Sequence, residues 1–314
     1  MELAIDAAGL ERRFGDFTAV DGVDLAVQRG EIYGFLGPNG AGKSTTTRML
    51  CTLTALTGGR ATVAGHDVAR DAGQVRLRIG AALQSAALDE MQTGTELLRQ
   101  QGRYYGLSRS QIDTRLAELR GLIDIGDALD QRIKTYSGGM KRRVDLAAAL
   151  IHNPEVLFLD EPTTGLDPSS RAKVWEEVQR LNTELGMTIF LTTQYLEEAD
   201  ALADRVGIID HGKIIAEGTP AELKRSIGAD VIAVRVADVT RAEPVSAAVP
   251  GIDAVESRGD EILAATSDGP GHVSPLIVAL ADADIPVRSL TLREPTLDDV
   301  FLTLTGQHLE GEAA

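Results

Sequence analysis

The chain has 314 residues, 43% of them hydrophobic, and carries 31 Lys and Arg against 47 Asp and Glu for a net charge of −16. That length and apolar content suffice for one large domain or two ordinary ones with proper cores, so the chain is globular. The acidic balance argues against non-specific nucleic-acid binding, which needs a basic surface, and a single cysteine, Cys51, excludes an intramolecular disulfide or a cysteine metal cage.

The N-terminal run MELAIDAAGLERRFGD mixes acids and bases and has no apolar h-region, and no later stretch approaches the roughly 20 apolar residues needed to span a bilayer. A cytosolic chain is expected, one that reaches a membrane only by docking onto a membrane-spanning partner. Up to about residue 225, short β-branched or apolar runs at 32–36, 156–159, 188–192 and 206–209 alternate with helical patterns. That alternation marks an α/β domain, and runs this continuous predict strands buried on both faces.

The first run, 32–36, leads into Gly37-Pro-Asn-Gly-Ala-Gly-Lys-Ser44, which fits G-x-x-x-x-G-K-[ST] between a strand and a helix. Such a loop lets several N–H groups converge on a phosphate at a helix N-terminus. Gly37, Asn39, Gly40, Ala41, Gly42, Lys43, Ser44 and Thr45 are the expected nucleotide contacts, with Lys43 on the β- and γ-phosphates and the Ser44 hydroxyl on Mg²⁺. Cys51 reads as a small buried core residue.

Residues 93–150 read as mostly helical, with Leu97, Leu98, Leu116, Leu119, Leu122 and Ile123 spaced for one buried face, a helical subdomain inserted in the sheet domain. Val156-Leu-Phe-Leu-Asp-Glu161 then delivers two adjacent acids at a strand end. Asp160 can hold the metal through its water shell, and Glu161 can take a proton from an attacking water. Consecutive strand residues point to opposite faces, so both serve one site only if the strand stops there, at the turn Pro162-Thr163-Thr164-Gly165.

Beyond about residue 225 the composition changes. Residues 226–314 hold five Arg against fifteen Asp and Glu, a net of −10 that leaves −6 for the rest. Elements expected at 231–236, 240–249, 252–257, 261–266, 272–283 and 286–293 run β-α-β-β-α-β, the ferredoxin-like order. A helix at 297–304 and a polar tail, 307–314, follow. The acids read as a solvated face, and the five histidines show no metal-ligand spacing.

Residues 1 to about 225 resemble the ATP-binding cassette of an ABC transporter. What carries the resemblance beyond the phosphate loop is Tyr136-Ser-Gly-Gly-Met140 ahead of a helix. In that family two cassettes pack head to tail, and the resemblance implies that Ser137, Gly138 and Gly139 close over the ATP held by the partner. It further implies Phe14 as the aromatic that stacks on adenine, Gln84 as the loop glutamine that touches Mg²⁺ and faces the membrane partner, and Asp167 as the aspartate that crosses the dimer interface. Tyr136, Met140 and Gln194 depart from the family's usual leucine, glutamine and histidine. All three resemble the ATP-binding subunits of daunorubicin-resistance-type multidrug exporters, as do Thr193-Gln-Tyr-Leu-Glu-Glu-Ala-Asp200, Ile209-Asp-His-Gly212 and Pro295-Thr-Leu-Asp-Asp-Val-Phe-Leu-Thr-Leu-Thr-Gly306.

These residues predict an α/β ATP-binding cassette over 1–225, an α+β accessory domain over 226–306, and a homodimer of cassettes with ATP and Mg²⁺ as cofactors. The resemblance implies that it drives export of a hydrophobic compound through a separate permease, from the cytoplasmic face of the membrane, with no nucleic-acid partner. Gln194 can donate a hydrogen bond to a phosphate but neither titrates nor carries charge. A slow ATPase with Glu161 as base is therefore expected. A nucleotide-gated switch with little hydrolysis and a soluble ABC ATPase acting on ribosomes are the alternatives.

Overall fold

The computed structural model of the protein describes residues 2–84, 88–123 and 126–306, so the expected polar tail lies outside the described residues. Strands β1 (Leu3–Phe14) and β2 (Phe17–Gln28) form a hairpin, and β3 (Ile32–Leu36) leads through the glycine loop into α1 (Lys43–Leu50). Next come β4 (Gly58–Val63), β5 (His66–Asp67), α2 (Ala72–Arg78) and β6 (Ile79–Ala82). Helices α3 (Gly94–Tyr104), α4 (Arg109–Leu122) and α5 (Gly138–Leu150) precede β7 (Val156–Asp160) and α6 (Pro168–Leu185). Then follow β8 (Thr188–Thr193), α7 (Leu196–Leu202), β9 (Arg205–Asp210) and β10 (Lys213–Gly218). The chain divides into two units at Pro220/Ala221, in the first turn of α8 (Pro220–Ile227) and a few residues ahead of the composition change near 225.

In the first unit the order β10-β9-β3-β8-β7-β6 makes a six-stranded sheet, parallel except for the edge strand β10. Its central strands are buried at every residue because the two faces meet two different cores. Ile32, Leu157, Leu159, Ile189 and Leu191 pack with the helices, whereas Tyr33, Phe35, Phe158 and Phe190 pack with β1, β2 and α1. Phe190 is the hub of the second core, its ring 5.7, 5.4 and 5.6 Å from those of Tyr33, Phe35 and Phe158. Cys51 is buried in the same core.

A second sheet, β2-β1-β4-β5, is antiparallel and was not legible among the apolar runs of the sequence. The reason lies in its register: shifts between Ala7 and Leu10, and again between Arg12 and Arg13, break the period of two that would announce a strand. The helical stretch behaves as its spacing predicts. Leu98, Leu116, Leu119 and Ile123 are buried, with Leu97 and Leu122 packed half-buried against them. Capping boxes at Thr93/Glu96 and Ser108/Gln111 start α3 and α4.

The second unit contains β11 (Asp230–Val236), α9 (Val239–Ala247), β12 (Ala254–Arg258), β13 (Glu261–Thr266), α10 (Gly269–Asp282) and β14 (Val287–Arg293), then α11 (Leu297–Thr305). The antiparallel sheet order β12-β13-β11-β14 is the ferredoxin-like one read from the sequence. Ile232, Val234 and Val236 alternate inward from β11 onto Ala242, Leu276 and Leu280 of the two helices, and of the two residues between them Arg235 is exposed and Ala233 is buried.

Phe190→Ala opens a cavity at the hub of the aromatic core and is expected to cost about 3–5 kcal/mol. Denaturant unfolding of the first unit, followed by fluorescence of Trp175, the chain's single tryptophan, measures it.

Candidate nucleotide-binding and hydrolysis site

Strands β3, β8 and β7 run in register to one edge of the sheet, where Leu36 pairs with Thr193 and Thr192 with Asp160. Every loop leaving that edge starts at the same level, so the glycine loop, the acid pair and Gln194 begin side by side. This is where parallel sheets hold their ligands.

The glycines of the loop answer to different demands. A Cβ on Gly37 would lie 2.2 Å from the Ile209 carbonyl oxygen, and one on Gly42, at φ 112°, would lie 2.5 Å from that of Ala19. The chain passes too close to β9 and β2 there for any side chain. Gly40, at φ 82°, has open space instead, which lets backbone N–H groups meet a ligand. Helix α1 starts at Lys43 with no side-chain cap, so its first-turn N–H groups face the loop.

Lys43 is only 4% exposed. Its Nζ donates to the Gly37 and Pro38 carbonyl oxygens at 2.6 and 3.1 Å and lies 3.5 Å from Glu161 Oε1. Burial pulls its pKa below the ordinary lysine value, and Glu161 beside it pulls the other way. Asp160, 1% exposed, accepts at Oδ1 from Ser44 Oγ at 3.1 Å and from Thr192 Oγ1 at 2.6 Å. Asp160 Oδ2 is buried with no hydrogen-bond partner among the described residues. A free carboxylate oxygen next to a serine hydroxyl suits a hard divalent cation, so Ser44 and Asp160 fit Mg²⁺.

Glu161 solves the problem of two consecutive acids on a strand. Its φ of 49° is left-handed, a conformation a glutamate takes only when held. The hold comes from Thr192: Glu161 N donates to its carbonyl oxygen at 3.0 Å and to its Oγ1 at 3.1 Å. The turn brings the Glu161 carboxylate round to Lys43, where Oε2 also accepts from Gln84 Nε2 at 3.0 Å and from Thr164 Oγ1 at 3.4 Å. Gln84, expected on the metal, therefore joins this cluster through the acid.

Other expected residues stand apart from it. Ser137 caps α5, its Oγ accepting from Met140 N at 3.3 Å, and Ser137 and Gly138 are exposed. Gly139 lies against Ser170, where a Cβ would come within 3.2 Å of the hydroxyl. Asp167 caps α6, accepting from Ser170 N and Oγ at 3.0 and 2.6 Å, and these bonds hold its pKa below the usual carboxylate value. Phe14 is 48% exposed at the end of β1, with the Arg12 guanidinium 4.4 Å over its ring. Tyr136, one of the departures, fits because Gly94 leaves room: a Cβ there would meet its hydroxyl at 2.9 Å.

Gln194 follows β8 directly and is half-buried. Its loop is anchored by Tyr195 N donating to Thr193 Oγ1 at 2.9 Å, and the Arg171 guanidinium lies 4.4 Å over the Tyr195 ring. Beneath it is a residue that reading the sequence overlooked. Glu198 is fully buried, and its Oε1 accepts from Thr163 Oγ1 at 2.9 Å and Trp175 Nε1 at 3.0 Å. Burial raises its pKa against those bonds. It ties the segment carrying Gln194 to the turn between Glu161 and Asp167. The available signal was a glutamate next to Ala199 and one turn before Leu202, on the buried side of a short helix, where a carboxylate needs partners.

A glycine loop that opens a helix, a buried lysine and a carboxylate held against it meet at the strand ends, and fold and site together define a P-loop ATPase. The ABC transporter family matches residues 20–164, and the family described as ATP-binding protein DrrA1-3-like, C-terminal domain, matches residues 218–305. The chain is 48% identical over 306 residues to the daunorubicin/doxorubicin resistance ATP-binding protein DrrA of Streptomyces peucetius, covering 96% of this chain and 92% of that one. It is 40% identical over 310 residues to the Nod factor export ATP-binding protein I of a Rhizobium species, covering 98% and 99%. Of solved structures, an ATP binding subunit of an ABC transporter aligns with a TM-score of 0.64 and 28% identity over 72% of this chain and 93% of that one. The chain belongs to the ATP-binding proteins of ABC transporters, and the resemblance drawn from its motifs holds over nearly its whole length.

Gly42→Ala forces a Cβ onto the Ala19 carbonyl and displaces the loop. Isothermal titration is expected to show ATP affinity down by at least about tenfold, a loss of about 1.4 kcal/mol, with Trp175 fluorescence unchanged.

Proposed function

We propose that the protein is the ATP-hydrolysing subunit of an exporter, acting as a head-to-tail homodimer that drives a separate membrane-spanning permease from the cytoplasmic side. The observation that carries the hydrolytic part is the ion pair of Lys43 with Glu161 at the edge where Asp160 keeps a free buried oxygen. Among the described residues no helix is long and apolar enough to cross a membrane, which supports a separate permease. The relatives are named for resistance to daunorubicin and doxorubicin and for Nod factor export. Their shared chemistry supports a large amphiphilic or hydrophobic cargo for this chain.

In this reading the ATP phosphates enter the loop of Gly37, Asn39, Gly40, Ala41 and Gly42, and the N–H groups of Lys43, Ser44 and Thr45 bind them. Lys43 exchanges the Gly37 and Pro38 carbonyls and Glu161 for phosphate oxygens, which frees the Glu161 carboxylate to accept a proton from the attacking water. Mg²⁺ held by Ser44, Asp160 and Gln84 would neutralise charge developing on the β- and γ-phosphates. Gln194 donates its amide N–H to the γ-phosphate and keeps the water in line. A hydrogen bond to a charged group is worth about 1.5–3 kcal/mol, enough for positioning without a histidine's charge.

The dimer is supported by what the site leaves outside itself. Ser137 and Gly138 are exposed at a helix N-terminus and, among the described residues, make no hydrogen bond to Lys43, Ser44, Asp160 or Glu161. Donors so placed can close over a nucleotide bound to the other copy, with Asp167 crossing beside them. Phe14 offers its ring to the adenine.

Steady-state phosphate release by the purified protein, alone and with its permease, tests the reading. Glu161→Gln should lower turnover by about 100-fold or more, within the usual contribution of a general base, while ATP still binds. Gln194→His should keep or raise turnover and add a dependence on pH near neutrality. ATP binding without turnover in the wild type, permease present, would make the protein a nucleotide-gated switch instead.

A further inference from the structure

Arg142 lies in the second turn of α5 and is not among the nucleotide contacts, yet its side chain is only 12% exposed. A guanidinium has five N–H donors, and each has a partner here. Nε donates to the Pro162 carbonyl oxygen at 3.0 Å. Nη1 donates to Leu83 O at 2.8 Å and to Asp145 Oδ2 at 3.2 Å, and Nη2 to Ala82 O and Asp160 O, both at 3.3 Å. Four of the five acceptors are thus backbone carbonyls from the ends of two neighbouring parallel strands.

Their location gives the contact its meaning. The β6–β7 ladder ends at Ala82 paired with Leu159, and beyond that pair the two chains separate. The carbonyls past the last rung need a donor from elsewhere. Arg142 supplies it to Ala82 and Leu83, the latter immediately before Gln84, and to Asp160 and Pro162, which bracket Glu161. The guanidinium therefore fixes the peptide plane entering the left-handed glutamate, the plane that follows Pro162, and the one leading into the glutamine that donates to Glu161.

We propose that Arg142 is a positioning residue for ATP hydrolysis: it locks Glu161 and Gln84 in mutual register by bridging the ends of β6 and β7. A lysine cannot replace it, because a tetrahedral ammonium has three donors and no planar fork to span two strands. Asp145 balances the charge and is not needed for the bridge. Its carboxyl is pushed up to about 6 by burial, with Arg142 opposing. A consequence rests on the head-to-tail dimer proposed above. Arg142 and Ser137 stand on one helix, so the contact that α5 makes with the partner's nucleotide is transmitted to this chain's own Glu161.

The test compares wild type, Arg142→Lys, the charge-free pair Arg142→Gln/Asp145→Asn, and Asp145→Asn alone, reading kcat, ATP affinity and melting temperature for each. Arg142→Lys and the charge-free pair are expected to lose about 100-fold in kcat, the scale of a displaced catalytic group, with ATP dissociation constants within about threefold of wild type on the same affinity scale. Asp145→Asn alone should turn over within about twofold of wild type, since four of the five donors keep their carbonyls. The charge-free pair keeps the experiment readable if Arg142→Lys fails to fold. Undiminished kcat in either Arg142 variant, or affinity and kcat falling together, overturns the assignment. Absence of turnover in the wild type would instead overturn the reading of the protein as an ATPase.

Discussion

Strand register is the constraint on which the site depends. Five parallel strands buried on both faces can show polar chemistry only where they end, and pairing of Leu36 with Thr193 and of Asp160 with Thr192 makes three of them end together. A slip of one residue in β7 would turn Asp160 into the core and Leu159 toward the phosphates. The aromatic cluster around Phe190 opposes that slip, because Phe158 and Phe190 lie on one face and Leu157, Leu159 and Leu191 on the other. The packing that stabilises the sheet is therefore also what aims the acids.

The edge so formed concentrates buried charge, which is costly unless every charge is met. Lys43 is met by Glu161 and two loop carbonyls, Asp160 by Ser44 and Thr192, Arg142 by four carbonyls and Asp145, and Glu198 by Thr163 and Trp175. Among the described residues two carboxylate oxygens of this group keep no partner, Glu198 Oε2 and Asp160 Oδ2, and the second belongs to the carboxylate that takes the Ser44 hydroxyl, where a metal would use it. The left-handed Glu161 is a second local cost, of about 1–3 kcal/mol, and Thr192, Gln84 and Arg142 surround it. Order around Glu161 is thus maintained from three elements, by Thr192 of β8, by Gln84 after β6 and by Arg142 of α5.

The second unit was legible for the opposite reason. One face of its sheet packs on the two helices, so apolar and polar residues alternate from Leu290 to Arg293 and the short apolar runs are bounded by polar turns. The hairpin of β1 and β2 is also antiparallel, but its shifted registers hid it. Helix starts were readable wherever local chemistry sets them: Asp167 before Pro168, and Ser137 before two glycines, both cap helices as such residues do.

The amino-acid sequence by itself determined the α/β cassette, the ferredoxin-like unit, the phosphate loop and the pair of acids at the end of β7. Each rests on residues adjacent along the chain, where spacing, glycine and hydrophobic period act directly on the backbone. Only the tertiary structure decided what those residues meet. Gln84 reaches Glu161 across 77 positions and Arg142 reaches Leu83 across 59, and Glu198 finds Thr163 at the far side of a strand and a helix. A side chain's partner across the sheet depends on which strands are neighbours, and that order, β9-β3-β8-β7-β6, is set by crossovers and two-sided burial of the whole sheet rather than by any local stretch.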